Sequence, residues 1–283
     1  VFESRNAATA YCGADSCPAG LVLASLREPA PPPAGSRDAP VAKRLELSLE
    51  LIAVSELADR TFEALFVDLP IGIPGAESGD RSERACDRIA RRMLGRRAST
   101  VFSVPIREAV SADSYESACR VQEGHTGRRI SKQSWNILPK VRELDELLRE
   151  RPGVARRAYE AHPELSFFAL NACTPVSEPK KRAGGASTRL RLLRQAAGEL
   201  DPTLDVEATM QRFLSETARR LCAPDDVLDA ICLAICACIS APSKLGRLDL
   251  PESPELDPFG LPMRMALPKL SCLASSPRLG LHE

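Results

Sequence analysis

Ala64-Leu65-Phe66-Val67-Asp68-Leu69-Pro70-Ile71-Gly72-Ile73-Pro74 is the stretch on which the fold turns. Four apolar or aromatic residues run straight into Asp68, and Pro70, Gly72 and Pro74 then end any regular structure. An apolar run of that length closed by Pro and Gly predicts a buried strand opening into a loop. A carboxylate at the end of such a strand sits where α/β folds keep their chemistry. The other elements are therefore read for partners to Asp68.

Upstream, Ala10 to Asp15 reads as a short strand ending in an acid. Ser16 to Gly20 form a turn punctuated by Pro18 and Gly20, and Leu21 to Leu26 return as a second strand. Glu28 to Pro40 are rich in Pro and Ala and predict a loop. From Lys43 to Ile52 the pattern alternates, with Leu45, Leu47, Leu49 and Leu51 on one face and Arg44, Glu46, Ser48 and Glu50 on the other. That period of two predicts a half-buried third strand. Ser55 to Glu63 read as a short helix capped by Ser55.

Downstream the period lengthens to about 3.6. Gly79 to Leu94 predict a helix with Ala85, Ile89 and Met93 on an apolar line and Arg81, Arg84, Arg88 and Arg92 on a basic one. A solvated face is the simpler reading of those arginines, and a phosphate-facing patch the sharper one. Gly95 is a natural stop. Ser99 to Glu108 look extended, whereas Ser114 to Glu123 and Ser131 to Arg149 look helical until Pro152 and Gly153. Tyr159 to Ala161 predict a fifth strand, whose end is left through His162-Pro163-Glu164. A loop with Lys180 and Lys181 spans Pro175 to Gly185, followed by helices at Thr188–Ala197 and Val206–Cys222. Pro224-Asp225-Asp226-Val227-Leu228-Asp229 then opens the most apolar helix. Asp226 and Asp229, three apart, share a face. Asp225 reads as a cap, whereas Asp229 abuts an apolar run and needs a partner or a metal, because a bare buried charge is costly. Beyond Ser240 the chain is Pro-rich loop with one edge strand within Leu261–Leu267.

Composition narrows the class. The 283 residues carry 38 Lys plus Arg against 38 Asp plus Glu, so net charge is zero and the global signature of a dedicated nucleic-acid binder is missing. Aromatics at 4% argue against a stacking platform for single strands. Ten cysteines in a chain this long, several within apolar runs such as Ile235-Cys236-Ala237-Cys238, read as free and buried, and no paired zinc signature occurs. No signal-peptide pattern is seen, and the longest apolar segment, Val227–Ala241, is too short to span a bilayer and contains Asp229. The expectation is a cytoplasmic protein without a membrane partner.

Taken together, acids end the first and fourth strands (Asp15, Asp68), Glu160 lies in the fifth, and Asp226 and Asp229 sit on the last core helix. This order predicts an α/β fold of ribonuclease-H-like type: a mixed sheet of three antiparallel strands and then parallel strands, flanked by helices. A single domain covers 1–283, with a helical insertion at 79–153 after the fourth strand and a Pro-rich C-terminal extension at 242–283. In that arrangement carboxylates from neighbouring strand ends and a late helix converge on Mg2+ or Mn2+. Two such ions roughly 3.5–4 Å apart serve in-line attack on a phosphodiester, and hard oxygen ligands suit them.

Local strings add a resemblance. Gly13-Ala14-Asp15-Ser16-Cys17-Pro18-Ala19-Gly20, Val67-Asp68-Leu69-Pro70-Ile71-Gly72, Ala90-Arg91-Arg92-Met93-Leu94-Gly95, Lys140-Val141-Arg142-Glu143-Leu144-Asp145, Tyr159-Glu160-Ala161-His162-Pro163-Glu164 and Asp226-Val227-Leu228-Asp229-Ala230 resemble domain of unknown function 429 from about Cys12 to about Met265. That family is described as predicted nucleases with a ribonuclease-H-like fold, so the resemblance implies metal ligation by Asp15, Asp68, Asp226 and Asp229, with Glu160 and His162 as further catalytic candidates. The chain departs from the family pattern at Leu21, where a Trp is customary, and in its long Pro-rich loop.

Three functions compete. In a metal-dependent nuclease, Asp15, Asp68 and Asp229 hold metal, Asp226 or Glu160 completes the site, and His162 positions water or carries a proton. There, Arg84, Arg88, Arg91 and Lys140 meet the phosphates of a nucleic acid. In a hydrolase or transferase of a nucleotide or other small phosphorylated compound, the same acids work beneath a roof formed by 79–149. In a non-catalytic binding protein, His162 and Glu164 simply tie a loop.

Overall fold

The first two strands form the predicted hairpin, and everything else is placed by it. A computed structural model describes residues 10–28, 44–76 and 83–269. Most of the Pro-rich loop (29–43), the expected start of the arginine-rich helix with Arg81, and both chain ends lie outside the described residues.

Strand β1 (Ala10–Cys17) pairs antiparallel with β2 (Gly20–Arg27) through a two-residue turn, and β2 pairs antiparallel with β3 (Glu46–Ile52). On the other side of β1, β4 (Ala64–Val67) runs parallel to it. After five helices, β5 (Ala158–Glu160) runs parallel to β4. The order β3-β2-β1-β4-β5 is therefore three antiparallel strands followed by a parallel continuation.

Between β4 and β5 stand α1 (Ala85–Leu94), α2 (Arg107–Val110), α3 (Tyr115–Thr126), α4 (Lys132–Glu150) and α5 (Pro152–Ala155). After β5 come α6 (Pro163–Leu170), α7 (Ala183–Leu200), α8 (Val206–Glu216) and α9 (Pro224–Ile239). A second sheet pairs β6 (Arg247–Leu250) antiparallel with β7 (Met265–Pro268).

Two cores lie on opposite faces of the five-stranded sheet. Alternate residues of β1, Tyr11 and Cys17 among them, pack with Phe66 against α9, and Ala10, Cys12 and Ala14 pack with Leu65 and Val67 toward α4. Every residue of α9 from Val227 to Cys238 is buried. An all-round apolar helix belongs inside a protein, and its cysteines act as small apolar residues. Cys232, Cys236 and Cys238 are free and buried, as are Cys12, Cys17, Cys86, Cys119 and Cys222.

Some local expectations are corrected. Val54–Asp59 is a 3-10 helix, and Glu56, not Ser55, holds its start by accepting from the Ala53 N–H at 2.6 Å. Beyond β5, Pro163 opens α6, its missing N–H costing nothing at the first helical position. Helix α7 begins five residues before Thr188, and β6 adds a strand to the region expected to be mostly loop.

Candidate functional site

Asp15 and Asp68 meet because β1 and β4 run parallel and in register. Ala14 lies opposite Val67, and the Asp68 N–H donates to the Ala14 carbonyl at 2.9 Å, continuing the ladder by one residue. Side chains of opposed residues leave a sheet on one face. Asp15 follows Gly13 and Asp68 follows Phe66 by two, so both acids point toward α9. The Asp68 carboxylate lies near enough to act on the Asp15 carboxyl.

Gly13 lets the third acid arrive. A Cβ at this position would stand 2.1 Å from the Ala234 nitrogen and 2.2 Å from the Ala230 oxygen. Only glycine lets the α9 backbone lie this close to β1, and that contact sets Asp229, one residue before Ala230, beside the strand ends. Asp15 is 4% and Asp229 3% exposed, while Asp68 is half-buried.

The charges are underpaid by their surroundings. Burial, then Asp68 and Asp229, push the Asp15 carboxyl well above the usual carboxylate range. Burial raises Asp229 to about 6, with Asp68 and Glu164 adding to it, even though Lys180 opposes the shift. Lys180, from the loop between α6 and α7, donates from Nζ to Asp229 Oδ2 at 2.6 Å and stands 3.5 Å from Asp225 Oδ2. Burial works against its charge, but Asp229 and Asp15 outweigh that and hold the ammonium above its ordinary pKa.

The other predicted residues take different places. Asp226 caps its own helix, accepting from the Ala223 N–H at 2.9 Å, so the cap expected of Asp225 belongs to Asp226 while Asp225 faces Lys180. Glu160 lies opposite Val67 and so points to the α4 side of the sheet, away from the aspartates. There it binds Arg84 through both oxygens, at 2.6 and 2.7 Å, and accepts from the Ile71 N–H at 2.7 Å. Arg84 also pairs with Asp87 at 2.7 Å and is 2% exposed. It is thus no solvated arginine and no surface phosphate contact, but the centre of a buried triad that fixes the loop after Asp68.

His162 caps α6. Its Nδ1 accepts from the Glu164 N–H at 3.2 Å, which leaves Nε2 to donate to the Thr100 carbonyl at 3.2 Å. With Asp68, Arg84 and Glu160 it lines a cavity of about 20 Å³, room for roughly one water. Arg91 is tied to the Val101 carbonyl and to Glu83. Arg88 is exposed and donates to the Glu83 carbonyl. Lys140 reaches the β1–β2 turn, donating to Ser16 Oγ at 3.1 Å and to the Cys17 carbonyl.

Sequence reasoning gave no role to three supporting groups. Fully buried Arg189 clamps Glu164 with two bonds of 2.8 Å and also holds the Glu178 and Gly185 carbonyls. Arg97 reaches Glu164 from the other side at 2.5 Å. Asp257 accepts from the Ile73 N–H at 3.1 Å and pairs with Arg107, pinning the same Pro-rich loop as Glu160. Ion pairs between residues this far apart leave no local pattern.

The donor set around Asp15 is carboxylate oxygen, the chemistry that suits Mg2+ or Mn2+. Among the described residues no group of three or more His, Cys, Asp or Glu side chains stands in a ligating arrangement. Lys180 lies on Asp229. Among the described residues no helix is long and apolar enough to cross a membrane.

No curated protein and no solved structure matches the chain. A family model described as "Protein of unknown function (DUF429)" matches residues 13–255, from the glycine beneath α9 to just beyond β6. The chain belongs to the DUF429 family.

Proposed function

We propose that the protein is a divalent-metal-dependent hydrolase of phosphate esters, a nuclease or phosphodiesterase on a ribonuclease-H-like fold. One observation carries this reading: acids from two strand ends and a buried helix lie near enough to raise one another's pKa, and the cation bonded there is Lys180, on Asp229. Structural ion pairs in this chain are satisfied differently. Arg84 serves Asp87 and Glu160, and Glu164 has two arginines. Leaving buried acids short of cations costs stability, and a bound cation recovers it.

In this reading Asp15, Asp68 and Asp229 hold Mg2+ or Mn2+. The ion supplies charge stabilisation to the phosphoryl oxygens and a more acidic water. Asp68, the least buried of the three, is the one open to substrate and water. Glu160 and Arg84 hold the Leu69–Pro74 loop and thereby the Asp68 backbone, and His162 fixes the start of α6. Asp226 stays the helix cap. The helices between β4 and β5 form an insertion that walls the site.

The substrate is a nucleic acid or a smaller phosphorylated compound such as a nucleotide. The fate of the arginines favours the smaller one. Arg84 is enclosed, Arg91 is bound to its own loop and Lys140 to the β1–β2 turn, which leaves exposed Arg88 of the four expected phosphate contacts. Long backbones are bound through several cations.

Incubation with manganese and, in parallel, single- and double-stranded DNA, RNA and mononucleotides tests both points. Wild type should release product from at least one substrate, and Asp68→Asn should lose all of it. Full turnover by Asp68→Asn removes the assignment.

A further inference from the structure

Lys180 is held by machinery out of proportion to a loop lysine. The Glu178 carbonyl, two residues before it, accepts from Arg189 at 3.1 Å. Arg189 is 1% exposed and is itself locked on Glu164 by two bonds. The loop also lies directly on the first turn of α7. A Cβ at Gly185 would stand 2.1 Å from the Pro179 oxygen, and one at Gly184 would meet the Glu178 carboxylate at 2.1 Å. Two glycines and a buried arginine thus fix the backbone on either side of Lys180, while its four-carbon stem stays free to move.

The lysine is less buried than the acid it meets. The Lys180 side chain is 33% exposed and its partner Asp229 4%. It covers an Asp229 oxygen at 2.6 Å and leans on Asp225 at 3.5 Å, yet belongs to neither the sheet nor α9, so withdrawing it disturbs no core contact of either.

We propose that Lys180 is a displaceable counter-ion: its ammonium and a divalent cation compete for the same Asp229 oxygen, so the lysine must swing off before the aspartates can hold metal. This inference rests on the metal reading above.

The test measures Mn2+ affinity of the full-length protein, by titration calorimetry or by the spin-resonance signal of free Mn2+, at one fixed pH. Wild type is compared with Lys180→Met and with Lys180→Gln, the latter keeping a donor to Asp229 should Met impair folding. Removing the competitor should tighten Mn2+ binding about tenfold or more, the scale of one charge-assisted hydrogen bond. Adding Asp229→Asn to either variant should abolish the gain. If wild type binds Mn2+ and both variants bind equally or more weakly, the competition is wrong and the metal site stands. If none of the folded proteins binds Mn2+, both ideas fall.

Discussion

Asp229→Asn should stabilise the metal-free protein, against the usual direction for a buried hydrogen-bonded residue. Its carboxyl is raised to about 6 in the fold from an ordinary 3.8, so the native state favours the protonated form and pays for the ionised one. The sign follows from linkage: stability from this group is fully present below pH 3.8 and is lost as pH rises through 6. At about 1.36 kcal/mol per pH unit, the cost at pH 7.5 is about 3 kcal/mol, falling to about half of that at pH 5. Asn imitates the protonated shape without the charge. Lys180, one-third exposed, keeps Asp225 or turns to water, which limits the loss on its side. Urea denaturation at pH 7.5 and pH 5 reads the difference directly. The variant should gain stability at both, with the gain at pH 5 about half that at pH 7.5. A variant no more stable than wild type at pH 7.5, or a gain that ignores pH, refutes the claim that Asp229 is underneutralised.

Two further changes separate scaffold from site. Gly13→Ala pushes a methyl into the α9 backbone at Ala230 and Ala234, so it should cost about 3 kcal/mol or more and lower the urea midpoint sharply; a near-native midpoint would mean that α9 does not need this approach. Arg84→Met leaves Asp87 and Glu160 buried without their cation, and by the measure of broken buried pairs should cost about 3–5 kcal/mol, seen by the same method. Retention of wild-type stability there would show that the triad contributes nothing.

The sheet was legible because its signals are local. Alternation over Lys43–Ile52, the turn at Pro18 and the apolar run Leu65–Val67 each act over a few residues, and the mixed sheet follows their order. Elements whose formation rests on distant partners were not. The α7 start passes through Gly184 and Gly185, which a helix tolerates poorly, and it is held by Arg189 and packing on Pro179. Strand β6 exists because Met265–Pro268 returns to pair with it.

For the site, residue type was readable and facing was only partly so. Asp15 and Asp68 are legible as acids at strand ends and Asp229 as an acid against an apolar helical run, and the register brings Asp15 and Asp68 to one face because both lie an even number of residues from core positions aimed at α9. The same parity turns Glu160 to the other face. Tyr159 stands opposite Phe66, which belongs to the α9 core, so Glu160 must stand opposite Val67 and face α4. Period two makes that choice binary: a carboxylate one position along a parallel strand serves the other side of the sheet. There the only economical use for a buried acid is to neutralise a buried arginine, and Arg84 supplies it. The two families of acids therefore differ in what they face before they differ in chemistry. One meets an arginine from the start of α1, and the other meets its fellow acids and the Lys180 ammonium.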